Sequence, residues 1–181
     1  MIVWLNGAFG AGKTTTARAL VAWSPRLRLF DPEWVGYLLR ANLSDYEFSD
    51  FQQLPPWRTI VPKVAAEVAD FTGQDLVAVQ TVLDEGYWGE LRAGLTGLGQ
   101  PVMHVLLDAS ADVLHARIDA DPDGVDIRGW RHEHVGRYAA ARPWLTAAAD
   151  QVVDVGALSP EAAATRILDR LERHEESRAA D

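Results

Sequence analysis

The sequence has 181 residues, 48% hydrophobic and 24% charged, with a net charge of −9 and no cysteine. That length suits one domain with a sizeable core. The charge disfavours general nucleic-acid or anionic-membrane binding, which needs a basic face, and the lack of cysteine excludes disulfides, thiolate metal sites and cysteine nucleophiles.

Ile2 to Asn6 is an apolar run ending at Gly7, the form of a buried parallel strand. Helical spacing follows from Thr14 to Trp23, with Ala17, Leu20 and Val21 on one face. A second strand reads Leu27 to Phe30 and stops at Asp31-Pro32, and Pro32 suits the first turn of a helix through about Arg40. Ser44 to Gln53 reads as loop. Pro55 and Pro56 open a helix in which Ile60, Val64, Val68 and Phe71 share a face. Leu76–Leu83 and Val102–Leu107 are strands three and four, with a helical stretch between them. Ser110 caps a helix whose inward positions are Ala111, Leu114 and Ile118.

Asp119 to Gly129, with DPDGVD inside it, reads as loop. A helix from Trp130 to Ala149 follows, with Pro143 expected to break or bend it. Gln151–Val155 is the fifth strand. Ser159-Pro160 starts a last helix with Ala164, Ile167, Leu168 and Leu171 on one stripe, and the charged tail from Glu175 is expected to fray. Strands alternating with helices predict an α/β fold of three layers, a five-stranded parallel sheet covered on both faces. No repeat or linker divides residues 1–181.

Gly7-Ala8-Phe9-Gly10-Ala11-Gly12-Lys13-Thr14 fits G-x-x-x-x-G-K-[ST] without a mismatch, between a strand and a helix. Glycines let such a loop wrap so that backbone N–H groups converge on phosphate oxygens, and the helix adds the positive end of its dipole. Lys13 then reaches the β- and γ-phosphates, and Thr14 ligates Mg²⁺. ATP with Mg²⁺ is the expected cofactor, held from Gly7 to Thr15. There is no N-K-x-D guanine motif and too little chain for motor or helicase machinery. A phosphate loop this early in a short chain points to kinases of small molecules, with a lid on a nucleoside-monophosphate- or shikimate-kinase-like frame. The acceptor-binding segment is then 32–72 and the lid region 119–137.

Asp31 falls at the carboxyl end of the second strand, the edge where open α/β sheets gather their active sites. It is a candidate base for the acceptor hydroxyl, or a holder of a magnesium-bound water, and it also fits a helix N-cap. Arg58, beside Trp57 at a helix start, is placed to grip the acceptor, though a solvated arginine fits the position as well. Strand three ends in Gln80-Thr81, where many P-loop enzymes carry a carboxylate. Its absence leaves Mg²⁺ to Thr14, Asp31 and water, unless Asp84 reaches back. Gln80 and Thr81 are candidates for substrate contact or for capping the strand.

Arg117, Arg128, Arg131 and Arg137 cluster around the lid, which needs cations over the migrating phosphoryl. Arg117 is placed to stack on adenine, beside the Asp154-Val155-Gly156-Ala157 turn. Any one of the four also reads as ordinary surface charge. Lysine occurs only at 13 and 63, and the other cations are arginine, which suits bidentate phosphate recognition but also follows from a G+C-rich coding sequence. His132 and His134 fall on different faces of a helix, so no metal site is expected there. Trp4 and Trp23 read as core. Trp34, Tyr37, Trp57, Tyr87, Trp88 and Trp130 fall in segments expected to line the acceptor cleft, which suits a bulky, partly apolar or nucleobase-containing substrate.

The opening IVWLNGAFGAGKTTTA, the segments FDPEWVGYLLR and FQQLPPWRT, and HVLLDASADVLHARI resemble the ATP-binding tunicamycin-resistance protein family. Asp31-Pro32-Glu33 with Gly36, and Trp57-Arg58, separate this likeness from shikimate and adenylate kinases, and Trp130 to Arg137 matches an arginine-bearing lid helix. The resemblance implies an ATP-binding fold of the nucleoside-monophosphate-kinase type and resistance to a nucleoside antibiotic. Members have been described as binding the drug, which leaves sequestration without turnover as an alternative to phosphorylation. Some are associated with membranes through a C-terminal amphipathic helix, whereas the last helix here has a narrow apolar stripe suited to packing on the sheet.

The reading is an ATP-dependent phosphotransferase acting on a hydroxyl of a small molecule. A metabolic nucleotide or small-alcohol kinase is the further alternative. No stretch is apolar for the length that spans a bilayer, and MIVWLNG carries no basic region or cleavage site. A cytoplasmic monomer or homodimer, with no nucleic-acid partner and no membrane insertion, is the expectation.

Overall fold

The computed structural model describes residues 1–180, and their side chains apart from those at 123, 124 and 175–180. The strands are β1 (Ile2–Gly7), β2 (Leu27–Phe30), β3 (Asp75–Val79), β4 (Val102–Asp108) and β5 (Gln151–Asp154). All pair in parallel, in the order β2-β3-β1-β4-β5, so β1 lies at the centre with chain on both sides. The helices are α1 (Lys13–Trp23), α2 (Glu33–Asn42), α3 (Pro55–Thr72), α4 (Glu85–Gly97), α5 (Ala111–Ala120), α6 (Arg128–Ala148) and α7 (Pro160–Ala180). The expected α/β sheet with helices on both faces is what forms.

Alternation along β1 builds two cores. Ile2 and Trp4 point to the face covered by α2, α3 and α4, where Trp57, Val61, Trp88 and Leu91 are buried. Val3 and Leu5 point to the other, closed by α1, α5, α6 and α7 through Leu20, Leu114, Tyr138 and Ile167. Burying both faces explains why the strands read as near-continuous apolar runs. The crevice that binds ligands in such sheets opens where the chain leaves β1 for one side and later returns to the other, at the strands' carboxyl ends.

Several local expectations need correction. On α3 the buried positions are Trp57, Arg58, Val61, Pro62, Ala65, Ala66 and Ala69, with Ile60, Val64 and Val68 half-buried against the same core, whereas Phe71 is 92% exposed. The alanine stripe lets α4 approach closely; a Cβ on Gly94 would come within 2.9 Å of Pro62. Small residues therefore take the deepest positions, Ile60, Val64 and Val68 pack at their edge, and only Phe71 of the expected face is left out. β3 ends at Val79 rather than Leu83, because beyond Gln80 the backbone bonds to the Asn6 side chain instead of a strand. Trp23 is half exposed, not core, and Ala111 is exposed.

Pro143 does not end α6, which runs through it. Its missing N–H would have reached back to Ala139, a residue on the exposed side of the helix, where losing that bond costs least. The segments read as loop contain 3-10 turns at Phe51–Gln53 and Pro122–Ile127. α7 continues helical to Ala180, but the side chains from Glu175 lie outside the described ones.

Candidate functional site

Between β1 and α1 the chain folds back on itself through Gly7, Gly10 and Gly12, all at positive φ. Gly7 has φ +142° and its absent Cβ would lie 2.5 Å from the Leu107 carbonyl oxygen. Gly12, at φ +82°, opens toward free space, so the loop's inner surface is bare backbone. Lys13, the first residue of α1, turns back over the loop. Its Nζ donates to the carbonyl oxygens of Gly7 (3.0 Å) and Ala8 (2.8 Å) and stands 5.5 Å from the Phe9 ring centre. Burial pushes the Lys13 ammonium down to about 7, with Glu33 opposing the shift and Arg131 adding to it.

A cavity of about 1090 Å³ opens above this loop. Phe9, Gly10, Gly12, Lys13, Thr14 and Thr15 form its floor. Gly7, Ala8 and Ala11 do not reach it; Ala8 and Ala11 are buried beneath. Asp31, at the end of β2, lines the cavity, and its Oδ1 accepts the Glu33 N–H (2.9 Å), so the helix-start reading and a place in the site hold together. Glu33 lines it too, and burial and the neighbouring Asp31 and Asp50 raise its carboxyl above the usual range. Gln80 enters from β3 with a buried Oε1 that has no hydrogen-bond partner among the described residues. Asp84 also reaches the cavity while capping α4 through Tyr87 N–H (2.9 Å).

The opposite wall is cationic. Arg131 and Arg137 line it from α6. Arg131 pairs with Asp121 (2.6 Å), and its Nε is buried without a partner among the described residues. Arg117 lines the cavity from α5 and donates to the carbonyl oxygens of Val155 (2.6 Å), Gly10 (3.4 Å) and Gly156 (3.4 Å), which binds α5 to the phosphate loop and to the turn after β5. Gly156 thus belongs to the site's frame without lining it. Arg128 does not line the cavity; it donates to the Asp121 carbonyl (3.3 Å). Phe9 packs on Trp130 (4.9 Å between centroids) and His134, so the start of α6 rests on the phosphate loop.

Trp34, Trp57 and Arg58 stand elsewhere. Trp34 is 71% exposed on the outer face of α2. Trp57 is fully buried, with its Nε1 donating to the Pro32 carbonyl (3.1 Å). Arg58 is buried behind the cavity wall, bonded to Glu90 (2.8 Å) and to the Gln52 carbonyl, with Tyr87 stacked on it at 4.2 Å. Of the six aromatics expected in the cleft, Tyr87 and Trp130 line the cavity. Glu33, Asp50, Gln52 and Arg40 line it without having been singled out in the sequence. For Asp50 and Gln52 a signal existed: the Asx turn before the short 3-10 segment, in which Asp50 Oδ1 accepts the Gln52 N–H (2.9 Å).

Hard oxygen donors on the cavity surface include the Thr14 hydroxyl and the Asp31, Glu33, Asp50 and Asp84 carboxylates, of which Glu33 is the one whose charge acts on Lys13. No cluster of three or more His, Cys, Asp or Glu able to hold a metal occurs among the described residues. That set fits Mg²⁺, which needs few protein ligands when it arrives with a nucleotide. No helix among the described residues is long and apolar enough to cross a membrane.

Comparison with known proteins agrees with this geometry. The structure is similar to that of the tunicamycin resistance protein of Deinococcus radiodurans, with 25% identity and a TM-score of 0.74 over 94% of each chain. It also shares its fold with a sugar kinase from Janibacter sp. (19% identity, TM-score 0.66, 94% of each chain). A third neighbour is the Mycobacterium tuberculosis APS kinase solved with AMPPNP and APS (20% identity, TM-score 0.59, 94% of this chain and 96% of that one). No curated protein matches the sequence. The family model described as an AAA domain matches residues 2–122, well over half of the sequence, and the chain belongs to that family.

Proposed function

We propose that the chain is an ATP-dependent phosphotransferase that moves a phosphoryl group to a hydroxyl of a small molecule, with a nucleoside antibiotic of the tunicamycin type as the first acceptor to test. One observation carries the reading: a single cavity holds the phosphate loop, the Asp31 carboxylate and the α6 arginines Arg131 and Arg137. The likeness to a tunicamycin resistance protein supports the choice of acceptor.

In this reading Gly10, Gly12, Lys13, Thr14 and Thr15 hold the phosphates, while Arg117 and the Gly156 turn border the adenine. Thr14 and Asp31 would hold Mg²⁺, which neutralises charge on the phosphates when bound. Asp31 accepts the acceptor's proton as its oxygen bonds to phosphorus and the bond to the departing nucleoside diphosphate breaks. Arg131 and Arg137, on the lid, stabilise the charge of the transferred group and exclude water. Residues 32–72 form the acceptor side, with Asp50, Gln52 and Gln80 in contact with it, and the site of action is the cytoplasm.

The test is mass spectrometry of tunicamycin after incubation with the protein and MgATP. A phosphorylated product supports transfer. Drug that binds in the presence of MgATP yet leaves unmodified turns the reading to ATP-dependent sequestration. Drug that neither binds nor changes excludes this acceptor, and ATP consumption against nucleosides and small alcohols then identifies another.

A further inference from the structure

Where many P-loop proteins place a carboxylate after the third strand, this chain has Thr81, and its surroundings give it a different task. Thr81 is 8% exposed. Its Oγ1 donates to the Gly7 carbonyl oxygen at 2.9 Å, the same oxygen that accepts from Lys13 Nζ at 3.0 Å. The second carbonyl holding Lys13, that of Ala8, likewise accepts from the Ala11 N–H at 3.3 Å. Both oxygens that hold the lysine therefore keep another donor when it leaves.

From this we infer that Thr81 is a positioning residue for Lys13. Its hydroxyl keeps the Gly7 carbonyl paired while the ammonium turns from the loop's own carbonyls to a bound phosphate, and so lowers the cost of that move. A polar atom deprived of its partner away from water costs more than the pair contributed. With valine at 81, Lys13 would have to abandon the Gly7 oxygen without that replacement. The inference rests on the phosphate-loop reading above.

The position of Thr81 is itself fixed from the acceptor side. Gln52 Nε2 donates to the Thr81 carbonyl at 2.9 Å, and the Gln52 carbonyl accepts from buried Arg58. On the other side, Asn6 Oδ1 accepts from the N–H groups of Gly7 (2.8 Å) and Val82 (3.0 Å), clamping the two strand ends together. Lys13, Gly7, Thr81, Gln52 and Arg58 thus form a hydrogen-bonded line from the phosphate loop to α3.

Binding of MgATP and of Mg-AMPPNP to the full chain, measured by calorimetry for wild type, Thr81→Val, Thr81→Ala and Thr81→Ser, tests the role, with Tm recorded for each. Thr81→Val and Thr81→Ala should weaken binding by roughly three- to tenfold, the worth of one hydrogen bond. Thr81→Ser should bind within about twofold of wild type, since it keeps the donor. Wild-type affinity in the folded Val or Ala variant overturns the role, as does a serine variant weakened as much as alanine. Should Thr81→Val not fold, the Ala and Ser pair gives the same comparison. A wild type that binds no nucleotide overturns the phosphate-loop reading and this inference together; variants that all bind like wild type overturn the inference alone.

Discussion

Arg131 Nη1 lies 2.6 Å from Asp121 Oδ2, an ion pair that joins the start of α6 to the residue closing α5. The pair holds an arginine over the cavity while leaving its Nε buried and without a partner among the described residues. A guanidinium so placed has a donor free to follow charge as it develops on a transferred phosphoryl group. With an acceptor in hand, Arg131→Ala is expected to lower kcat by roughly a hundredfold or more while MgATP affinity changes much less. Arg131→Lys should recover only part of the loss, because an ammonium lacks the planar fork. Steady-state kinetics beside direct nucleotide binding would separate the two effects, and an Arg131→Ala enzyme with wild-type kcat would remove this arginine from the chemistry.

Lys13 gives a pH signature in both binding and stability. With its ammonium pushed down to about 7 in the free protein, a bound phosphate restores the charged form, so nucleotide binding takes up a proton near neutral pH. Affinity for MgATP should therefore fall as pH rises above about 7, by at most about tenfold per unit. Stability moves the other way. The unfolded chain holds the Lys13 proton up to its ordinary 10.5, the folded chain only to about 7, so unfolding takes up a proton between these values. The penalty is complete below about 7 and is relieved as pH climbs through the window. Above about pH 10 the raised Tyr37 and Tyr138 hydroxyls oppose the trend. In urea denaturation, Lys13→Met should therefore exceed wild type in stability most at neutral pH, with the gap shrinking toward about pH 9.5.

How much of this was legible in the sequence depended on whether a feature is local. The phosphate loop is a fixed string between a strand and a helix, readable because backbone geometry demands the glycines and phosphate chemistry the Lys13 ammonium and Thr14 hydroxyl. Asp31 and Arg117 followed from their place relative to strands two and four. Trp57 and Arg58 were read as acceptor contacts because they open a helix on the right side of the sheet, but helix rotation decides which way they point. Tight packing of the Ala65–Ala69 stripe against α4 turns Trp57 into the core and Arg58 against Glu90 and Gln52. Nothing in the spacing announces that rotation. Glu33 reaches the cavity from the first turn of α2, and Asp50 and Gln52 through the path of the chain between α2 and α3, a tertiary fact with only an Asx turn to hint at it.

Asp31 can be tested apart from the loop. Its carboxylate accepts one backbone N–H from Glu33 through Oδ1, a bond that asparagine's carbonyl can also accept. Asp31→Asn should therefore leave the start of α2 intact and keep an oxygen for Mg²⁺, so that MgATP binding weakens far less than turnover, while removing the group proposed to take the acceptor's proton. Turnover is expected to fall by roughly a hundred- to ten-thousandfold, the usual worth of a positioned base. Full activity in that variant would show that the proton leaves by another route.

Gly36 and Phe51 supply a test of the proposed acceptor wall that touches no residue of the phosphate loop directly. A Cβ on Gly36 would lie 2.2–2.7 Å from three carbons of the Phe51 ring, including Cγ at 2.3 Å, so alanine there cannot be met by moving only a side-chain tip. Phe51 must shift, and with it the 3-10 turn that carries Gln52 and follows Asp50. Tyr37 and Arg40 would feel the displacement as well, since the Tyr37 ring and the Arg40 guanidinium rest on Phe51 at 5.3 and 4.7 Å. Gly36→Ala is expected to cost about 1–3 kcal/mol in urea denaturation, as overpacking does. Because Phe51, Gln52 and Asp50 line the proposed acceptor side of the cavity and Gln52 reaches the phosphate loop only through Thr81, KM for the acceptor should rise by a larger factor than MgATP affinity falls. Smaller still at Phe51, the pair Gly36→Ala with Phe51→Leu should regain part of the lost stability without regaining the acceptor KM, since the ring that shapes the wall is then gone. A Gly36→Ala protein weakened for MgATP as much as for its acceptor would place Phe51 on the nucleotide's path and reverse the assignment of the two ends.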